Sequence, residues 1–243
     1  MKKIVIVLII AIVLGGIGVL GALWWLQQES VESKELTREA YTIQDGTQAE
    51  GSLDFEALQK VNPHIYAWIH IPGTQVDAPI VQHPDDNTYY LTHGPAGEEN
   101  SYNAIFTENY NDQLFEDYIT GIYGNSAQEG VGFYDLYQYV DKKFMEDHPY
   151  LYIYLPDRVL QYRIFAAYVG DNSHVVLNYE KGVDEMAREV YLDSIMEQRS
   201  MDAIIDRNTS VDYNSKVITL TTNHKLGNNF RFLVQAYLEQ IKK

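Results

Sequence analysis

The hydrophobic positions divide the chain into three stretches. From Ile4 to Leu26 run 23 residues without a single charge. As a helix rising about 1.5 Å per residue they span roughly 34 Å, enough to cross the hydrocarbon core of a bilayer. From Gln27 to Gly51 the chain is polar and acidic with no apolar periodicity, which predicts a stalk, loosest at Gln44-Asp45-Gly46-Thr47. Beyond it Ser52 is placed to cap a short helix with Leu53, Ala57, Leu58 and Val61 on one face, closed by Pro63. Short apolar runs then alternate with turn residues. Strands are predicted over Tyr66–Ile71, Ala78–Val81, Ala104–Phe106, Tyr118–Tyr123, Leu151–Leu155, Leu160–Val169 and Lys216–Thr222. The last runs over Phe230–Leu238, with Phe230, Phe232, Val234, Ala236 and Leu238 on one face. Val131–Tyr139 predicts a short helix. Asp184–Gln198 predicts a longer one with Met186, Ala187, Val190, Tyr191 and Ile195 at helical spacing. Many strands and few helices make the fold mainly β, a barrel or sandwich with helical additions.

The flanks of the first stretch orient it. Lys2 and Lys3 precede it, favouring a cytoplasmic N-terminus, and Trp24 and Trp25 suit the far interface. A cleaved secretory signal has a shorter apolar region, of about 7–15 residues, ending in small residues. Leu23-Trp24-Trp25-Leu26 is a poor cleavage context, so an uncleaved signal-anchor is the preferred reading, and either reading puts the rest outside the cytoplasm. The expected organisation is a cytoplasmic tip (1–3), a transmembrane signal-anchor (4–26), a stalk (27–51) and one folded domain (52–243), facing the extracellular side of the cell membrane.

Charge and composition narrow the chemistry. With Lys2 and Lys3 set aside, 16 basic residues face 34 acidic ones, a net of −18. A surface that acidic repels phosphate backbones, so nucleic acid is not expected as a partner. There is no cysteine, which excludes disulfides, thiolate metal ligands and any thiol nucleophile in these residues. His64 and His70 lack the further ligands that a metal site needs. His83, Asp85 and Asp86 crowd one loop, but Pro84-Asp85-Asp86-Asn87 is equally good turn chemistry. The aromatic stretch Tyr134–Tyr154 reads as sheet and core packing in preference to a binding surface. No phosphate-cradling loop, serine elbow or zinc-protease helix is present, and neither a metal nor a cofactor is expected.

Several short motifs, taken in order, resemble class B sortases. They are Val61-Asn62-Pro63, Ala67-Trp68-Ile69-His70-Ile71-Pro72-Gly73-Thr74, Ala78-Pro79-Ile80-Val81-Gln82, Asn87-Thr88-Tyr89-Tyr90-Leu91 and Asn100-Ser101-Tyr102-Asn103-Ala104-Ile105-Phe106. Then follow Ile122-Tyr123-Gly124, Gly130-Val131-Gly132-Phe133, Phe144-Met145-Glu146-Asp147-His148-Pro149-Tyr150, the helix around Tyr191-Leu192-Asp193-Ser194-Ile195, and Ile218-Thr219-Leu220-Thr221-Thr222. The likeness covers about residues 52–240. It implies a sortase-like eight-stranded β-barrel with added helices, anchored outside a Gram-positive cell. Such enzymes cut a sorting motif in a surface protein and pass the acyl group to a cell-wall amine. A Cys thiolate attacks, a His protonates the leaving amine and an Arg steadies the developing oxyanion.

This chain departs from that pattern at two of the three positions. Asn125 stands where the family's His follows the Tyr-Gly pair, Asn223 stands where its Cys ends the Thr-Leu-Thr-Thr strand, and Arg231 is retained. An amide is neither a nucleophile nor a proton shuttle near neutral pH. The resemblance therefore implies a pseudoenzyme whose groove, with Arg231, Asn125, Asn223, Thr222 and His224, binds a sorting-signal or pilin-type peptide, with an active sortase or a pilin as further partners in surface-protein or pilus assembly. Two other readings stay open at this point. One is a domain that binds nothing there. The other is a cysteine-independent peptidase or transpeptidase of the cell wall in which a turn after Asn223 pairs Thr222 with His224.

Overall fold

The structure, a computed structural model, describes residues 53–99, 103–126, 129–171, 184–200, 202–224, 227 and 229–242. The apolar run 4–26, the stalk 27–51, Ser52 and the motif residues 100–102 lie outside the described residues. Among the described residues no helix is long and apolar enough to cross a membrane.

Nine strands form one sheet: β1 (Ile65–His70), β2 (Asp77–Val81), β3 (Ile105–Phe106), β4 (Ile119–Gly124), β5 (Tyr150–Tyr154), β6 (Val159–Asp171), β7 (Ile204–Ile205), β8 (Val217–Asn223) and β9 (Phe230–Lys242). Their order is β5-β1-β2-β3-β4-β8-β9-β6-β7, and an additional β5–β6 pairing closes the first eight into a barrel. Closure leaves those eight strands without a free edge. The ninth strand, β7, hangs outside the ring on Ala166 and Ala167 of β6. The eight-stranded barrel expected from sequence is thus present, with one added strand.

Alternation sorts the side chains. Ile69, Ile80, Ile122, Leu151, Ile153, Ile164, Ile218, Leu220, Phe232, Val234 and Ala236 share one buried cluster. The helix α3 (Glu185–Met196) buries Tyr191 and Ile195 in a second cluster with Phe165, Tyr168, Leu233 and Tyr237. β9 is therefore covered on both sides over its middle: Phe232, Val234, Ala236 and Leu238 share the face read from sequence, and Leu233 and Tyr237 on the other face are buried too. Phe230 itself is exposed. The helix also presents a narrower stripe than its sequence suggested. Tyr191 and Ile195, four residues apart, point inward, whereas Val190 lies about a third of a turn and Met186 nearly half a turn away, and they are 52% and 75% exposed.

Caps set the helix starts. Asp184 accepts from the Ala187 amide at 2.7 Å and opens α3. Asp54 accepts from the Ala57 amide at 2.9 Å and opens α1 (Phe55–Val61), so Asp54 rather than Ser52 is the cap. The helix expected over Val131–Tyr139 is a 3₁₀ helix, Tyr134–Val140, entered through Gly130 and Gly132 at positive φ. A further helix, α2 (Lys142–Asp147), follows it directly. The tyrosine-rich stretch packs as expected in part: Tyr139 is buried, while Tyr150, Tyr152 and Tyr154 alternate with buried Leu151 and Ile153 and are half-buried on the outer face.

Between β8, β9 and α3 lies a buried polar network. The Tyr191 hydroxyl donates to Gln235 Oε1 (2.9 Å) and lies 2.6 Å from the Thr219 hydroxyl, which also bonds Gln235 Oε1 (2.8 Å). Gln235 Nε2 donates to the Tyr168 hydroxyl at 3.0 Å. Removing the hub leaves three buried hydroxyls short of a partner, at about 1–3 kcal/mol for each group left unsatisfied. Gln235→Leu should destabilise the fold by at least about 2 kcal/mol in chemical denaturation, with part of the loss coming from the undocking of α3. A midpoint equal to that of the unaltered protein would show that the network contributes nothing net.

Candidate functional site

Strand register gathers the three positions singled out by sequence. β4 and β8 run parallel with Tyr123 opposite Thr221, so Asn125, two residues beyond Tyr123, reaches the level of Asn223. β8 and β9 run antiparallel with Asn223 directly opposite Arg231. Residues so opposed have Cβ atoms about 4.5–5.5 Å apart. Asn125, Asn223 and Arg231 consequently line one open groove of about 450 Å³, together with Asn87, Thr88, Tyr90, Leu91, Phe106, Glu108, Tyr123 and Thr222.

The local backbone explains how Asn125 is held. The Phe133 amide donates to the Asn125 carbonyl at 2.7 Å. A Cβ on Gly132, at φ +52, would stand 2.4 Å from that same carbonyl oxygen, and one on Gly124 would stand 2.7 Å from the Phe133 ring. The glycines of Tyr123-Gly124 and Gly130-Val131-Gly132-Phe133 are therefore close-approach positions that let the turn lie against the end of β4. On the other side, the main-chain carbonyl of Asn223 accepts from the Tyr137 hydroxyl (2.5 Å) and from Ser126 Oγ (3.1 Å). These bonds fix the mouth of the barrel where β8 ends.

Thr222 is placed differently from its neighbours. It is opposite Phe232 and shares the inward face of Ile218 and Leu220, so it is only 2% exposed. Its hydroxyl has no hydrogen-bond partner among the described residues, although it borders the groove. A buried unsatisfied hydroxyl costs about 1–3 kcal/mol. His224 lies on the other side of Asn223. It lines a second cavity of about 790 Å³ with Tyr134, Tyr137, Val140, Val169 and Phe232, and its ring is 5.9 Å from that of Tyr137. The pairing of Thr222 with His224 considered from sequence is thus not formed, because the two side chains border different cavities.

Sequence reasoning missed the phenol and carboxylate cluster at the groove floor. Glu108 accepts from the Tyr110 hydroxyl. Burial first, and then the Glu108 charge, holds Tyr123 far above the ordinary phenol range, while Arg231 pulls the other way. Burial and a hydrogen bond to Glu108 do the same for Tyr110. Both phenols therefore stay protonated and act as donors. The only sequence signal was the Tyr in Tyr123-Gly124, and nothing marked Glu108.

The histidines weighed as metal ligands and set aside in the sequence lie beside other groups. His64 Nδ1 lies 2.8 Å from the Tyr90 hydroxyl, and His70 Nδ1 lies 3.6 Å from an Asp77 oxygen. In the loop after β2, His83 Nδ1 accepts from the Asp85 and Asp86 amides, and Asp86 accepts from Thr88. Among the described residues no three His, Asp or Glu side chains converge as metal ligands would.

No family model matches the chain. It is 32% identical over 167 residues to Sortase B of Listeria monocytogenes, an alignment covering 68% of this chain and 65% of that protein's length. Among solved structures it is similar to the Staphylococcus aureus sortase B–substrate complex, with a TM-score of 0.73 and 22% identity over 88% of this chain and 97% of the other. It is likewise similar to a sortase B complexed with triglycine, with a TM-score of 0.71 and 22% identity over 89% of this chain and 98% of the other. The structural likenesses establish a sortase-like fold, and the sequence likeness extends over about two thirds (65%) of the length of the Listeria protein.

Proposed function

We propose that this chain is a membrane-anchored, extracytoplasmic, non-catalytic sortase-like protein whose groove binds an extended peptide, such as a sorting-signal or pilin-type segment, in surface-protein assembly. The observation that carries this reading is the equipment of the groove. Two amides, Asn125 and Asn223, and one guanidinium, Arg231, line a single cleft beside a buried Thr222 hydroxyl that lacks a partner. Each amide offers a donor pair and an acceptor, which matches the alternating N–H and C=O groups of an extended backbone. Arg231 adds a charged donor for a carbonyl or carboxylate. The sortase B homologues with bound substrate and with triglycine support a peptide-sized occupant.

The lack of chemistry follows from the residues. Cleavage through an acyl intermediate needs a nucleophile and a proton donor to the leaving amine. The positions that would supply them are amides here, and no cysteine exists elsewhere in these residues. The neighbouring phenols are held protonated, so they supply neither an anionic nucleophile nor a base near neutral pH.

Three measurements test this. A charged hydrogen bond contributes about 1.5–3 kcal/mol, so calorimetry with a synthetic sorting-signal peptide should show Arg231→Ala binding at least about tenfold more weakly, with an unchanged melting temperature. A lowered melting temperature with unchanged affinity would make Arg231 a structural residue, and no binding by the wild-type protein would leave a scaffold. In a transpeptidation assay the unaltered protein should show no turnover, whereas Asn125→His with Asn223→Cys should recover some and neither change alone should. Robust turnover by the unaltered protein would establish a cysteine-independent peptidase instead. Protease added to intact protoplasts should remove residues 52–243 and leave a small anchored fragment, and full protection would overturn the orientation argued from Lys2, Lys3, Trp24 and Trp25.

A further inference from the structure

One wall of the groove is the segment between β2 and β3, which supplies Asn87, Thr88, Tyr90 and Leu91. Three of the side chains that hold this segment are imidazoles. His83 Nδ1 lies 3.2 Å from the Asp85 amide nitrogen and 2.9 Å from that of Asp86. A backbone N–H can only donate, so Nδ1 is the bare nitrogen of a neutral, Nε2-protonated ring. His64 Nδ1 lies 2.8 Å from the Tyr90 hydroxyl, which also receives a bond from Asn62 Nδ2 at 2.9 Å. His93 Nδ1 lies 2.8 Å from the Tyr89 carbonyl, to which it must donate. The rings touch in series, His64 to His83 at 4.8 Å, His83 to Tyr89 at 4.6 Å and Tyr89 to His93 at 3.8 Å between centroids.

These three imidazoles differ in what a second proton does to them. On His93 the Nδ1 hydrogen is a donor in both states, so the bond to Tyr89 survives. On His64 a protonated Nδ1 donates to the Tyr90 oxygen once the hydroxyl turns, and that bond survives too. On His83 the accepting lone pair is consumed, and both the Asp85 and Asp86 amides lose their partner. The groups facing His83 are the His64 and Tyr89 rings and, on its own turn, the carboxylates of Asp85 and Asp86. The Asp86 carboxylate accepts from the Thr88 amide (2.8 Å) and hydroxyl (2.6 Å), so it does not replace the lost acceptor. Behind them stand Tyr90, with Glu98 acting on it, and Glu99 bridged to His93.

We propose that His83 is the catch of an acid-labile latch: a proton on its Nδ1 releases the turn at Asp85 and Asp86 and loosens the groove wall that carries Asn87, Thr88, Tyr90 and Leu91. His64 acts in the same direction. Burial and the neighbouring His83 lower its pKa, so its contribution to stability is present above the unfolded value and is lost as the pH falls through the folded one. The wall opens locally without unfolding, because ties that involve no histidine remain. Asn109 donates from its amide to Asn87 Oδ1 (2.7 Å) and from Nδ2 to the Pro84 carbonyl (3.0 Å). Any effect on ligand affinity rests on the peptide-binding reading above, whereas the latch itself does not.

The test is amide hydrogen exchange of the segment 83–99, read by mass spectrometry without ligand at about pH 7.5 and about pH 5 and corrected for the intrinsic pH dependence of exchange. Losing a hydrogen bond of ordinary strength corresponds to roughly tenfold more opening, so exchange in this segment should rise about tenfold on acidification while that of β8 and β9 stays constant. His83→Asn, whose Oδ1 accepts in place of Nδ1 and does not titrate, should lose most of the acid response and keep only the smaller part that His64 supplies. His93→Gln should keep the acid response. Equal exchange of the wild-type segment at both pH values, or an acid response of undiminished size in His83→Asn, would overturn the latch. Loss of the response in His93→Gln alone would assign the catch to His93 and overturn it equally. Thermal melts of each variant identify any that fail to fold, and ring-proton NMR titration of His83 in the wild-type protein then provides the same decision.

Discussion

The pairing of Thr219 with Gln235 across β8 and β9 fixes the geometry on which the groove depends. Strand side chains repeat every two residues, so a slip of one would turn the inward row of Ile218, Leu220 and Thr222 outward. A slip of two would keep the faces but would separate Thr219 from Gln235 and strand the hydroxyls of Tyr168 and Tyr191. The hydrophobic alternation and the polar network therefore exclude different errors. Between them they admit one register, and in that register Asn223 faces Arg231 at the strand ends.

The same constraint reaches Asn125 through the parallel pairing of β4 with β8. Parallel neighbours advance together, so the end of β4 comes level with the end of β8. The Tyr-Gly step and the Gly-Val-Gly-Phe turn then clamp the Asn125 main chain at a distance that no larger side chain would permit. What reaches the groove is a set of hydrogen-bonding groups of both kinds, with Asn223 and Arg231 held by the β8–β9 ladder and Asn125 by the turn packed against the end of β4. Rigidity of this kind would lower the ordering cost of the peptide binding proposed above.

The opposite wall is built on another principle. The segment after β2 has few ladder bonds and relies on side-chain acceptors, aromatic contacts and the two Asn109 bonds. A groove with one wall set by sheet register and another set by single side chains is stiff on one side and adjustable on the other. Low local stability belongs on the adjustable side, since local opening there leaves the barrel intact.

Much of the barrel was legible in the chain, because short apolar runs bounded by turn residues mark strands such as β1, β4 and β8 directly. The three groove positions were legible for a related reason: short motifs at both strand ends framed Asn125 and Asn223, and zero cysteines settled the thiol. Composition also determined the acidic charge, and pattern placed Asn125 and Asn223 where the resemblance implies a His and a Cys. Tertiary structure decided the rest. Sequence periodicity reports that a face is apolar but not what covers it, so the second buried face of β9 and the outward turn of Met186 and Val190 became visible only with α3 in place. Asp54 displaced Ser52 as a cap because capping depends on backbone angles that one polar residue shares with its neighbour. Glu108, Tyr110 and Tyr137 carried no signal, since a polar side chain becomes part of a site only through neighbours distant in sequence. The unpartnered hydroxyl of Thr222 and the bare nitrogen of His83 are of this kind. Residue identity supplies the donor or acceptor, but only folded surroundings decide whether it is buried, satisfied or waiting for a partner.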